Sequence, residues 1–491
     1  MDPATSYAWS VADFYNDDAA GAVPSALELV YGVSTSTSLS NGEYLVLKAN
    51  QLNAGTNYVF RMTATNSNGL SAYASINITA GLPPTGGVFN VEPSNGTALG
   101  TTFSIRTANW TNEYSSYPLT YTFIYFDSSL TEISMRSETP ISNFSTTLPL
   151  GYAGTTARVG YNEYDLVVGV VAYDNIGASG DLNVTVNVAL PPLNEAVGLA
   201  RKQASAAEDL AESGDPESAA FLVQQSALVL NEVLGNSAGN SSGATAARSK
   251  FIDVMSSVIS QSTTTSAVGG SAACLKMLTD DAGTLSEDDK SSVFDHVVDL
   301  VDNSDILSEI TPSAQIAVME TVSNLLTAGI LKSSSSSSSP SSTRSTLDSS
   351  LLTLNSVITA SLVPGEEAVE LVTENIGSSN LKIDQQLLTT FGALGIDAAM
   401  ATGAPGARTT SFVLPDSILT KASSNSRRNR RKLLDSTVDE VSIAVVSWSE
   451  NPYESESVGA VQNGSIVTSL ALNGFDVTGL EDPITIYLPL P

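Results

Sequence analysis

The sequence predicts a multidomain α+β chain in which β-sandwiches come first, a run of helices follows, and a β region closes the chain. Three observations predict it. Residues 1 to about 192 alternate apolar and polar positions and repeat one hairpin signature, helical periodicity takes over at Leu193, and alternation returns past about Ala404. The 491 residues suit about three or four domains.

In the first stretch Tyr58, Phe60, Met62 and Ala64 alternate with Val59, Arg61 and Thr63, which sets one face of a strand in a core and the other toward solvent. The segment Ala64-Thr-Asn66-Ser-Asn-Gly69-Leu-Ser71 leads from it into a second strand, Tyr73 to Thr79. One domain length later Ala172-Tyr-Asp174-Asn-Ile-Gly177-Ala-Ser179 joins Tyr164–Val171 to Leu182–Val188. Two readings stand: tandem sandwiches of the immunoglobulin/fibronectin type III-like kind, or a shared glycine hairpin arising by chance. Leu82-Pro83-Pro84 and Leu190-Pro191-Pro192 follow the second strand of each copy and read as linkers, because a residue before proline is held extended.

From Leu193 helix signals dominate. Asp215 before Pro216 is an N-cap with proline at the first helical position, and Val223, Ala227, Leu230 and Leu234 form its stripe before Gly235. Ser286 ahead of Val293, Val297 and Leu300, and Thr311-Pro312 ahead of Val318, Val322 and Leu325, repeat the pattern. The serine run from Ser333, through Pro340, reads as a disordered loop over residues 333–345, having nothing to bury. In the last stretch Val441, Ile443 and Val445 alternate, Ser469–Leu472 turns at Asn473-Gly474, and Ile484, Ile486 and Leu488 alternate again.

Composition excludes several functions. Lys and Arg total 21 against 51 Asp and Glu, a formal charge of -30, which repels phosphate backbones and anionic lipid surfaces. Nucleic acid is therefore not an expected partner. Neither phosphate-loop nor dinucleotide glycine patterns occur, so nucleotide binding has no support. A single cysteine, Cys274, forbids a disulfide within the chain and a thiolate metal cluster, without settling the compartment. No basic, apolar leader opens the sequence and no apolar run is long enough to span a membrane, while both ends read as strand. The expectation is a chain truncated at both ends.

Catalytic constellations are equally thin. His296 is the only histidine and lies on a predicted helix without a nucleophile elbow, so it reads as a surface or boundary residue. Cys274 has apolar neighbours and reads as a buried small residue. The pairs Asp17-Asp18 and Asp280-Asp281 and the run Glu287-Asp288-Asp289 lack the alternating spacing that wraps calcium; helix first turns or solvated loops explain them. No catalytic residue, metal site or cofactor is expected. Seven N-x-[ST] sequons, at Asn77, Asn95, Asn109, Asn143, Asn183, Asn240 and Asn463, permit an extracellular location without requiring it, Asn95 standing in a predicted turn. The run Arg427–Lys432 contains Arg428-Asn-Arg430-Arg431, a fit to the R-x-[KR]-R processing site of secretory proprotein convertases; a patch for an anionic partner, a nuclear localisation signal or a plain solvated loop are the other readings.

One stretch carries a resemblance. Pro83-Pro84-Thr-Gly86-Gly87-Val-Phe89-Asn-Val91-Glu-Pro93-Ser-Asn-Gly96, then Trp110-Thr-Asn112-Glu113 and Pro118-Leu119-Thr-Tyr121, resembles the receptor for egg jelly (REJ) module of polycystins and sperm egg-jelly receptors. Gly87, Pro93, Gly96, Trp110, Pro118 and Tyr121 are its structural positions here. The family usually has cysteines where this chain has Phe89 and Thr107, which implies that an apolar contact replaces a disulfide. The resemblance also implies a helical segment and then a β subdomain similar to the GAIN fold; the family's Cys/Trp strand and His-Leu-Ser/Thr tripeptide are missing, so no autoproteolysis is expected.

The expected domains are a β-sandwich over 1–82, a REJ-type sandwich over 83–192, a helical GAIN-A-like region over 193–403, and a β GAIN-B-like region over 404–491 with a basic loop at 422–436. The resemblance implies an extracellular adhesion, ligand- or force-sensing segment of a polycystin-like, channel-associated membrane protein at a plasma or ciliary membrane. Its partners would be an extracellular protein or glycan ligand, and the membrane through segments outside this chain. A structural cell-surface or flagellar glycoprotein is the alternative, and a carbohydrate-active enzyme a third class that would need a carboxylate pair the sequence does not locate.

Overall fold

The computed structural model describes residues 4–12, 45, 47, 52–112, 117–128, 131–152, 162–235, 241–302, 311–330, 340–384, 394–402, 410–414, 440–449, 467–473 and 484–487. Contacts divide the chain into two units: Pro83–Leu354 with Thr373–Asn375, and Met1–Leu82 with Asn355–Val372 and Ile376–Pro491. Strands precede helices and strands follow them, so the α+β class and the β, α, β order hold.

The N-terminal strands β1 (Ala4–Ala12), β2 (Asn57–Asn66) and β3 (Ser71–Thr79) form one antiparallel sheet in that order. The alternation read from β2 is realised in its first half, where Tyr58 and Phe60 are buried against Trp9, Leu45, Leu47 and Leu52, while Met62 and Ala64 are only half-buried, as Val59 and Thr63 are. At its end Asn66 makes the turn. Its side-chain Oδ1 accepts the amides of Asn68 (3.0 Å) and Leu70 (2.9 Å), and Gly69 takes φ 78°, a value that an L side chain resists.

Within Pro83–Leu354 eight strands build a sandwich. They are β4 (Val88–Glu92), β5 (Asn95–Thr97), β6 (Phe103–Ala108), β7 (Thr120–Phe126), β8 (Glu132–Thr139), β9 (Asn143–Thr146), β10 (Asp165–Tyr173) and β11 (Ser179–Ala189). One sheet runs β5-β11-β10-β7-β8 and the other β4-β6-β9. Phe89 of β4 and Phe144 of β9 meet Phe123 of β7, with centroids 6.4 and 4.9 Å apart, so the two sheets share an aromatic core. The β10–β11 turn repeats the one after β2: Asp174 Oδ1 accepts the amides of Ile176 (3.0 Å) and Ala178 (2.9 Å), and Gly177 has φ 89°. Asn95 lies in the short strand β5, paired in parallel with β11, rather than in a turn.

The helices α1 (Leu193–Glu212), α2 (Pro216–Gly235), α3 (Ser241–Gln261), α4 (Thr265–Thr279), α5 (Glu287–Asp302) and α6 (Pro312–Thr327) follow in the same unit. The signals read for α2, α5 and α6 hold: Asp215 accepts from Ser218 N (3.1 Å), Ser286 from Asp289 N (3.1 Å) and Thr311 from Ala314 N (3.4 Å). The acidic run Glu287-Asp288-Asp289 occupies the first turn of α5, where it favours the helix dipole. On α1 a stripe of Ala196, Ala200, Ala204, Ala207 and Ala211 is buried, small enough for α2 to pack closely. Helices and sandwich are joined by α2: Phe221 packs on Tyr125, Tyr125 Oη donates to Gln224 Oε1 (3.3 Å), and Thr147 Oγ1 donates to Gln225 Oε1 (2.6 Å).

Two expectations are corrected beyond α6. Helix α7 (Pro340–Ser361) begins within the stretch read as a serine-rich loop, because Pro340 opens the helix and Leu347, Leu351, Leu354 and Ile358 give it a buried stripe. Residues 331–339 lie outside the described residues. Strands resume at β12 (Val369–Val372) and β13 (Ile376–Asp384), inside the region read as helical to 403. Their apolar alternation is broken by Ser378, Ser379 and Asn380, which are buried through hydrogen bonds: Ser378 Oγ donates to Asn355 Oδ1 (2.7 Å), and Ala399 N donates to Ser379 Oγ (2.8 Å).

The remaining strands are β14 (Leu394–Asp397), β15 (Ser411–Leu414), β16 (Glu440–Trp448), β17 (Val467–Asn473) and β18 (Thr485–Tyr487). They form sheets β12-β13-β16-β17 and β14-β15-β18, whose shared core includes Leu381, Ile396, Phe412, Val441, Ile443 and Val445. The Asn473-Gly474 hairpin and the basic loop 422–436, with Arg428, Arg430 and Arg431, extend outside the described residues.

Candidate binding region: the Trp110 corner and an acidic cavity

Of the residues singled out for the REJ resemblance, Gly87 and Trp110 meet at one corner of the sandwich. Trp110 is buried at the exit of β6, and its indole lies on Gly87: a Cβ there would stand 2.3 Å from a ring carbon. Gly180 flanks the same ring, since its Cβ would lie 3.4 Å from Trp110 Cζ3 and 2.2 Å from Pro84 O. The indole Nε1 donates to Thr107 Oγ1 (2.6 Å), whose hydroxyl donates to Val88 O (3.1 Å). Phe89 and Thr107 are direct cross-strand partners. The expected apolar replacement is therefore only half of what is found: Phe89 packs on Phe123, while Thr107 makes polar bonds to Trp110 and the backbone.

The corner continues into the second hairpin. Asn112 Nδ2 donates to Asp174 Oδ2 (3.0 Å), so one carboxylate shapes its own turn and holds the Trp110 loop. Tyr117 Oη accepts Asn112 N (3.3 Å), Tyr117 O accepts Asn175 Nδ2 (3.1 Å), and Pro118 follows exposed. Gly96 faces Thr101, whose side chain would lie 2.7 Å from a Cβ there. Pro93 and Pro118 both follow cis peptide bonds, and Tyr121 is half-buried with its phenol pushed up by burial and then by Tyr117. Gly87 and Trp110 thus touch each other, whereas Gly96, Pro93 and Tyr121 serve separate parts of the sandwich.

Five sequon asparagines fall within the described residues, and each is exposed: Asn77 on β3, Asn95 on β5, Asn109 after β6, Asn143 on β9 and Asn183 on β11. Asn240 and Asn463 lie outside them. His296 is not at the surface; it is buried, with Nε2 2.9 Å from Ile252 O, because α5 packs on α3 there. Cys274 is buried as expected, its thiol bonded to Ala220 O (3.0 Å) and pushed well above its ordinary range by burial. Neither is placed for nucleophilic work. Among the described residues no group of His, Cys, Asp and Glu is arranged to hold a metal ion, and no helix is long and apolar enough to cross a membrane.

A cavity of about 590 Å³ lies between the sandwich and the helices of the same unit. Ile124, Ile133, Val171, Met277 and Ile316 supply apolar lining, and five carboxylates, Asp127, Glu132, Glu138, Glu217 and Glu320, line it against the single ammonium of Lys276. Lys276 sits 2.7 Å from Glu320 and 3.8 Å from Asp127, tying α4 to α6 and to the β7–β8 connection. Burial alone pulls its ammonium down, but hydrogen bonding and charge from Glu320 prevail and the net shift is upward. Glu217 Oε1 accepts from Ser137 N (2.9 Å) and from the Ser266 hydroxyl, both neutral donors. Tyr173 also lines the cavity; its phenol is pushed up by burial first and then by the charges of Glu132 and Glu138. Sequence reasoning missed this cavity. Its residues come from β7, β8, β10, α2, α4 and α6, and no local spacing unites them.

Fold and corner define a two-sheet module with a tryptophan clamped between glycines. Residues 5–224 match the REJ domain, from β1 to the middle of α2. The match covers a little under half of the chain, and the resemblance read at Pro83–Tyr121 falls inside it and holds. A search of curated proteins finds no match to the chain.

Proposed function

We propose that this chain is a stretch of the extracellular part of a polycystin-like membrane protein, working by binding and mechanical coupling without covalent chemistry. The REJ match over residues 5–224 carries the reading, since the REJ domain is an extracellular domain of that family. The exposure of Asn77, Asn95, Asn109, Asn143 and Asn183 supports it, because an oligosaccharide can be transferred only to an accessible asparagine. On this reading Arg428-Asn-Arg430-Arg431 is a processing site of the secretory pathway, the C-terminal sheets are the GAIN-like block nearest the membrane, and ligand contact or force reaches a channel or anchor through them.

The test is expression behind a secretory leader in animal cells, followed by enzymatic removal of N-glycans and mass mapping. Glycan is expected on Asn95 and Asn143, and Asn95→Gln with Asn143→Gln should lose two steps of the mobility shift. Secretion of correctly folded chain with all five exposed sequons bare would count against the extracellular reading.

A further inference from the structure

We infer that the cavity between β7, β8, β10 and helices α4 and α6 is a binding site for an alkylammonium or guanidinium group, with the cation held by Glu132, Glu138 and the ring of Tyr173. Three features lead there. The volume of about 590 Å³ is that of a small-molecule or side-chain pocket. Its wall carries five carboxylates against one ammonium, an imbalance that a cation relieves and an anion worsens. Charge is unevenly compensated along that wall: Lys276 lies between Asp127 and Glu320, whereas Glu132 and Glu138 form no ion pair among the described residues and line the same cavity as the ring of Tyr173.

The chemistry of each part fits one kind of ligand. Two exposed carboxylates and an aromatic ring lining one cavity suit a cation, on which Coulomb attraction and the ring quadrupole both act. Ile124, Val171 and Met277 offer an apolar path for the stem of such a group, as a lysine or arginine side chain or an aliphatic amine has. The inference does not depend on where the chain is displayed, and its failure would leave the glycan test untouched.

The experiment is calorimetric titration of the whole chain with Nα-acetyl-lysine methylamide, Nα-acetyl-arginine methylamide and spermidine, at low and at physiological ionic strength. Nα-acetyl-norleucine methylamide serves as the neutral control. Saturable binding of at least one cation is expected, absent for the control, with Glu132→Gln/Glu138→Gln and Tyr173→Leu each weakening it by about fivefold or more. Both alterations lie away from the Lys276 bridge, and an unchanged circular dichroism melt will show that the fold survives. Tighter binding of the capped residues places the cation on a partner polypeptide, and tighter binding of spermidine on a free amine; either supports the site. Equal binding of the norleucine control, full affinity in Glu132→Gln/Glu138→Gln, or cation binding that survives filling of the cavity by Ala273→Phe would overturn it, the last by exposing general attraction to an acidic surface.

Discussion

Trp110 shows how a single residue organises its surroundings. A glycine at 87 is required because the indole occupies the space of any side chain there, and Thr107 is held because its hydroxyl receives the indole N–H. Gly87→Ala should therefore push the ring off its bond and destabilise the sandwich by about 2–4 kcal/mol, as overpacking combined with a lost buried hydrogen bond does. Thr107→Val, nearly the same in shape, should cost about 1–3 kcal/mol by leaving the indole N–H without its partner. Urea titrations followed by tryptophan fluorescence check both, and an unchanged midpoint for Gly87→Ala would show that the ring is not fixed. Gly87 and Trp110 were legible as motif positions, but their contact was not, because twenty-odd residues separate them in the chain.

Elements formed by short-range chemistry were the easiest to read. The hairpins after β2 and β10 use the same device, an Asn or Asp that accepts amides two and four residues on, and a left-handed glycine three residues on. A Cβ on Gly69 or Gly177 would meet nothing within 4 Å, so replacement by alanine tests conformation alone. Gly69→Ala and Gly177→Ala should each cost about 1 kcal/mol, and similar losses at both turns in thermal or urea melts would support their equivalence. The caps at Asp215, Ser286 and Thr311 were legible for the same reason, since donor and acceptor lie within one turn. Helix α7 and strand β13 were not. A serine run hid the proline start of one, and the buried polar residues Ser378, Ser379 and Asn380 erased the alternation of the other.

On the scale of the molecule, the REJ match and the packing do not end together. The match stops at residue 224, inside α2, whereas the contact unit that begins at Pro83 continues to Leu354. Cutting at 224 removes Val229, Leu230 and Val233, all buried, and takes away α4, whose Gly270 O accepts Gln224 Nε2 (3.1 Å). A fragment of residues 83–224 is expected to aggregate or melt without cooperativity, while residues 83–354 should give a cooperative thermal transition by circular dichroism. A well-folded short fragment would show that the helices are an accessory to the sandwich.

By itself the sequence determined the order of β, α and β regions, the helix starts, the two hairpins and the REJ resemblance. Each rests on periodicity, or on bonds between residues a few positions apart, which any window of the chain contains. Only the tertiary structure decided that Trp110 lies over Gly87, that His296 is buried against α3, that α2 fastens the helices to the sandwich, and that distant carboxylates share a cavity with Tyr173. Those arrangements depend on which surfaces meet when elements pack, and residues far apart in sequence leave no local pattern of such a meeting.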